Sequence, residues 1–349
     1  MSIAKKEFGT LKSGKAAYLY TIRNKNDAEI SVTDFGASLV TAVFKDKAGK
    51  PVDVVLGYDS VGPYEINKYY FGQTIGRSAN RIENGRFVID GTEYQLPQNE
   101  KGNSLHSGPD GYGVRIWDSA EADESKNTVT FRLNSPDGDQ GYPGNFNVAV
   151  SYTLTDDNEI IIRYEGLSDK KTIANMTNHS YFNLNGHGSG SVLNHKLQIS
   201  ASAFTPVKDS KAIPTGELLP VENTPMDFRT AKKIGQDIDA EYEQLKFGLG
   251  YDHNYALDNW NGKLQKIAES EGDITGIIME VYTDLPGVQF YSGNFITNEE
   301  GKEGALYINR GGFCLETQFF PNSANEPAFA SPVLNAGEKY QTTTIYKFK

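Results

Sequence analysis

Short stretches rich in Val, Ile, Phe, Tyr and Thr recur along the chain, each closed by glycine or by Asp and Asn residues. This rhythm predicts strands joined by hairpins. Phe87-Val88-Ile89, the pair Asp90-Gly91, and residues 92–96 read as one hairpin, because Asp-Gly accepts the positive φ that a type I′ turn demands. Residues 148–154, the polar turn Asp156-Asp157-Asn158, and residues 159–165 read as another. In its second arm Ile160, Ile162 and Tyr164 share one face while Arg163 and Glu165 point away, as in an antiparallel strand with one side buried.

Nothing sustains a 3.6-residue apolar period, and the polar stretch 234–246 predicts only one or two exposed helical turns. No repeat, low-complexity linker or shift in composition marks a boundary. So many strands would make one sheet awkwardly wide. The pattern therefore predicts an all-β fold, a large antiparallel β-sandwich with its sheets packed face to face, in which residues 1–349 form a single domain.

Composition narrows the function. The chain is 38% hydrophobic and carries 35 glycines besides, an ordinary globular content. A net charge of -11 without any basic run argues against a nucleic-acid partner, whose phosphates need clustered Lys and Arg. No run of about 18 apolar residues predicts a membrane span, and the first residues lack the apolar core of an export signal. The single cysteine, Cys314, excludes an internal disulfide and a thiolate metal cluster. A cytoplasmic protein is expected, as a monomer or homodimer.

Five histidines are present, and two lie in unusually polar, turn-like segments: His106 in Asn103-Ser104-Leu105-His106-Ser107-Gly108, and His179 in the segment from Asn175 to Leu184. A lone histidine is most often structural. His179, however, is ringed by Asn175, Asn178 and Asn183, whose amides suit sugar hydroxyls as well as they suit turns. No His-x-His or His-Glu-x-x-His spacing supports a metal site. His187 and His195 follow in a Gly/Ser-rich loop that reads as exposed. Near the C-terminus, Gly311-Gly312-Phe313-Cys314-Leu315-Glu316-Thr317-Gln318 sets an acid inside an otherwise apolar strand. Burial would raise the pKa of Glu316 and make it a better base near neutrality, and a buried salt bridge to an arginine would explain it equally well.

Six motifs in order choose between these readings. Gly76-Arg77-Ser78-Ala79-Asn80-Arg81-Ile82, Asn103-Ser104-Leu105-His106, Asn175-x-Thr-Asn-His-x-Tyr-Phe-Asn-Leu184, Tyr251-Asp252-His253-Asn254, residues 286–291 and residues 313–318 span most of the chain. Together they closely resemble the aldose 1-epimerases, the galactose mutarotases. The resemblance implies a β-supersandwich that uses no cofactor and no metal and interconverts the α and β anomers of a free hexose such as D-galactose or D-glucose. It implies His179 as general acid and Glu316 as general base. Asn80, Arg81, His106, Asp252 and Gln289 would hold the sugar hydroxyls and ring oxygen, and Tyr291 would be the aromatic platform. Ser107 departs from the glycine frequent there in the family.

An acid at His179 must hold its proton near neutrality, so its pKa is expected to be raised by nearby negative charge such as Glu316. The two groups are expected to converge from opposite sides of one sugar-sized cleft. Arg81 and Asp252 could instead serve a salt bridge and a loop. A hexose-6-phosphate epimerase would bring Arg77, Arg86 or Arg115 to the phosphate. A non-catalytic carbohydrate-binding module would need no acid and base, and a glycoside hydrolase would use two carboxylates.

Overall fold

A computed structural model describes residues 2–66 and 68–349. The consecutive strands Ser2–Thr10, Ala16–Arg23, Glu29–Thr33, Ser38–Lys45 and Pro51–Asp53 form an antiparallel meander. A nine-stranded antiparallel sheet follows, in the order Ser119–Asp123, Thr128–Ser135, Phe146–Leu154, Glu159–Ser168, Lys339–Phe348, Ile278–Thr283, Gln265–Glu271, Lys196–Ile199 and Lys232–Lys233. The last strand of the chain is inserted at its middle and stitches the two halves of the sequence together. A third sheet runs Leu219–Pro220, Ala203–Phe204, Asp252–Ala256, Gly287–Tyr291 and Cys314–Gln318.

Alternation sets which face of each strand is buried. Ile160, Ile162 and Tyr164 are wholly buried while Arg163 is exposed. The largest hydrophobic cluster joins Ile30 and Val32 of the meander, Val150 and Ile162 of the nine-stranded sheet, and Val288 and Phe290 of the third. Each such side chain contributes about 1.5–3 kcal/mol on burial, so all three sheets are held to one core.

The third sheet is different in kind. Strands Gly287–Tyr291 and Cys314–Gln318 are buried at every position. Val288, Phe290 and Leu315 face the hydrophobic core, and the alternate residues point to the other side, which is also covered. Register then aligns polar groups: Asn254 and Glu316 flank Gln289, and Asp252 and Cys314 flank Tyr291.

Both predicted hairpins are present. Ile89 pairs with Thr92 across Asp90 and Gly91, whose φ values are 50° and 79°. The second extends further than predicted, from Phe146 to Ser168. The stretch 234–246 is corrected: only Glu243–Gly248 is helical, and Ile234, Ile238 and Leu245 are buried. Those apolar residues pin an otherwise irregular segment to the core. A second short helix, Val61–Ile66, buries Val61 and Tyr64 one turn apart. No helix among the described residues is long and apolar enough to cross a membrane.

Candidate active site

The covered face of the third sheet opens into a cavity of about 130 Å³. One water needs roughly 10–15 Å³ of such space, so there is room for about ten small groups, the size of one pyranose. Every sequence-predicted site residue lines this cavity: Asn80, Arg81, His106, His179, Asp252, Gln289, Tyr291 and Glu316.

Asn80 and His106 are brought together by the short pairing of Arg81–Ile82 with Ser104–Leu105. Both adopt the left-handed backbone, φ 56° and 52°. The backbone N–H of Asn80 donates to His106 Nδ1 at 3.2 Å, and the His106 N–H donates to the Asn80 carbonyl at 3.0 Å. Burial, with His179 and Arg81 nearby, holds the His106 pKa well below the ordinary value. A neutral ring that accepts at Nδ1 carries its proton on Nε2, so His106 presents a hydrogen-bond donor to the cavity.

That tautomer bears on metal binding. The ligand atoms of His106, His179 and Glu316 lie within 4.8 Å of one another. An imidazole nitrogen must offer a lone pair to a metal, yet His106 has already committed its lone pair to Asn80. The donor set therefore fits a metal ion poorly.

His179 follows the pairing of Thr177–Asn178 with Thr74–Ile75. Its N–H donates to the Gln73 carbonyl at 2.9 Å, and its carbonyl accepts from Gly72 at 3.0 Å. The imidazole lies between two rings, Tyr181 at 5.1 Å and Tyr70 at 5.6 Å, both roughly parallel to it. Its Nε2 stands 3.6 Å from Glu316 Oε1, and its Nδ1 lies 3.6 Å from the thiol of Cys314. The separation from Glu316 is long for a hydrogen bond.

Glu316 is only 2% exposed, and its Oε2 has no hydrogen-bond partner among the described residues. Burial pushes its pKa well up, Asp252 adds to the rise, and Arg81 opposes it. No arginine is bonded to Glu316. Arg81 instead donates through Nε to Glu100 at 3.2 Å and lies 4.0 Å from Asp252. Asp252 also accepts from Gln289 at 2.7 Å, and Gln289 accepts from Gln318 at 3.3 Å.

Several expectations are corrected. The His179 pKa is lowered to about 4 rather than raised, because burial disfavours the imidazolium more than its surroundings favour it. Glu316 supplies little opposing charge, since burial drives it toward the neutral form too. The pair stands side by side, not across the cleft. Asn175, Asn178 and Asn183 do not line the cavity: their amides hold Phe319, Gly72 and Gly311 backbone groups. His195 is wholly buried, accepting from the Leu184 N–H at 2.9 Å, and is not in an exposed loop.

Arg77, Arg86 and Arg115 all lie outside the cavity. Arg77 is buried against the Pro143 and Gly144 carbonyls, Arg86 pairs with Glu93, and Arg115 with Asp110 and Asp139. The lining cations are Lys68, which pairs with Glu299, and Arg81. Sequence reasoning missed Lys68, Tyr69, Tyr70, Tyr181 and Phe295 on the cavity wall. Only Tyr181 had a signal, its place two residues beyond His179.

Comparison with known proteins shows the family and the fold. The family described as aldose 1-epimerase matches residues 18–347. A galactose mutarotase of Rattus norvegicus is 40% identical over 349 residues, covering 100% of this chain and 99% of its own. An aldose 1-epimerase of Escherichia coli (strain K12) is 39% identical over 337 residues, covering 96% of each. Among solved structures, an aldose epimerase homologue from C. elegans superposes with a TM-score of 0.87 at 29% identity, covering 99% of both chains. A galactose 1-epimerase from Lactobacillus acidophilus NCFM gives 0.86 at 27% identity, covering 100% of this chain and 98% of its own.

Proposed function

The chain belongs to the aldose 1-epimerase family and is an aldose 1-epimerase; from that premise we propose that it acts on a free hexose such as D-galactose or D-glucose, with His179 as general acid and Glu316 as general base. Ring opening removes the proton from the C1 hydroxyl and delivers one to the ring oxygen. After rotation about C1–C2 the two transfers reverse, and the ring closes with the hydroxyl on the other face.

The observation that carries the reading is the 3.6 Å separation of His179 Nε2 and Glu316 Oε1 on the cavity floor. The hydroxyl and ring oxygens are bonded to one carbon, so they need an acid and a base side by side. Each transfer contributes about 10²–10⁴-fold. The directions of the two pKa values oppose the charged pair, so the imidazolium–carboxylate form that opens the ring is reached at a cost. When imidazolium has given its proton and carboxylate has taken one, the open-chain aldehyde stands beside an uncharged pair, the state that burial favours.

Asn80, Arg81, His106, Asp252 and Gln289 bind the sugar in this account. His106 donates from Nε2, Asp252 accepts, and Tyr291 offers an aromatic face. A cytoplasmic protein of one domain, monomeric or homodimeric, completes the proposal, and the hydrophobic cluster shared by all three sheets supports the single domain.

Polarimetry on freshly dissolved α-D-galactose, α-D-glucose and their 6-phosphates tests it. Faster mutarotation of the free sugars is expected. Equal or better rates on the 6-phosphates would overturn the substrate assignment.

A further inference from the structure

Tyr70 has no role in the account so far, yet several features of the structure converge on it. It lines the cavity. Its neighbours Tyr69 and Phe71 are both buried in the cluster behind the site, and Tyr69 is tied through its hydroxyl to Thr297 at 3.2 Å. Between these anchors Tyr70 takes φ 59°. For a bulky aromatic residue this is an unfavourable backbone, of a kind that persists where the surrounding structure enforces it and that concentrates at ligand-binding positions.

The left-handed turn holds the ring against both histidines of the site. The Tyr70 ring is 5.6 Å from that of His179 and inclined at 25° to it, and 4.9 Å from that of His106 and inclined at 65°. Its hydroxyl makes no hydrogen bond to any described residue, and it shares this wall with the unpartnered Oε2 of Glu316. A phenol held at the cavity wall with an unused donor and acceptor is poised to bond a ligand.

Resting on the proposed mutarotase reading, we infer that Tyr70 is a substrate-contacting residue: its hydroxyl hydrogen-bonds one non-anomeric hydroxyl of the bound sugar, and its ring keeps the His179 imidazole in plane. The carboxyl and imidazole on the cavity floor engage the anomeric edge. Tyr70 reads the sugar beyond that edge and so sets specificity.

The test is steady-state mutarotation by wild-type and Tyr70→Phe protein on D-galactose and its 2-, 3-, 4- and 6-deoxy analogues. The Tyr70→Phe substitution keeps ring and backbone and removes only the hydroxyl. It is expected to raise KM for galactose about 3- to 10-fold, the worth of one neutral hydrogen bond, with kcat within about 2-fold. For the one deoxy sugar that lacks the partner hydroxyl, variant and wild type should be equal. A Tyr70→Leu protein, which lacks the ring as well, should also lose kcat. An unchanged KM for galactose, or the same loss on every deoxy sugar, would overturn the contact; an unchanged kcat in Tyr70→Leu would overturn the role of the ring. A wild-type protein inactive on all aldoses would instead remove the underlying reading, so the two failures are distinct.

Discussion

Glu316→Gln separates chemistry from folding. The substitution keeps the length and shape of the side chain and removes its capacity to take and return a proton. General base catalysis is worth about 10²–10⁴-fold, roughly 3–5 kcal/mol on the barrier, so kcat should fall by that factor with KM little changed. Stability should move the other way. The carboxyl is 2% exposed with an unpartnered Oε2 and a pKa pushed well up.

A raised folded pKa means that the native protein holds a proton the unfolded chain has released. That contribution to stability is full below the unfolded value of about 4.3 and is lost as pH rises through the folded pKa. Glutamine carries no such liability, so the variant should gain on the wild type as pH rises. Polarimetry with the spontaneous rate subtracted measures the first effect, and urea denaturation at pH values from about 5 to 8 measures the second. Wild-type kcat within about 3-fold would refute the base role. A variant that lost stability against the wild type as pH rose would refute the electrostatic argument.

Two further outcomes follow from the same geometry. His179, His195 and His253 all have pKa values lowered to about 4 by burial. The unfolded chain takes up their protons near pH 6.5 and the native protein does so only near 4, so stability falls as pH drops through this window, by up to about 3 kcal/mol for each. Urea midpoints should show the decline, and His195→Gln, which lies away from the cavity, should lessen it; a midpoint flat from about pH 6.5 to 4.5 contradicts this. Asp252→Asn removes the charged acceptor of Gln289 and the charge beside Arg81, and should raise KM for galactose about 10- to 100-fold, which initial-rate polarimetry measures; an unaltered KM would show that Asp252 only orders its loop.

The fold was legible where local rules act alone. Asp90-Gly91 specifies its turn through backbone conformation, and Ile160, Ile162 and Tyr164 specify a buried face through alternation. The stretch 234–246 misled because three separated apolar residues decide its burial while its many polar residues decide its appearance. His195 misled likewise, in a polar loop that folds inward. Within the site, the motif residues could be read because their chemistry is unusual for their surroundings, as with an acid at position 316 directly after the apolar run Phe313-Cys314-Leu315. Tyr70 could not be read. One tyrosine among 20 carries no signal until a left-handed turn aims it at the histidines. The His179 pKa depended on burial depth, which the sequence does not encode locally.

The central claim is that His179 and Glu316 work as one proton-transferring unit, and a double-mutant cycle measures this directly. His179→Asn, Glu316→Gln and the combined variant would be compared for kcat on α-D-galactose by polarimetry. Groups that act as a unit are strongly non-additive, so the combined variant should be no more than about 3-fold worse than the poorer single one. Losses that multiply, taking the combined variant down by the full product of the two, would contradict the account.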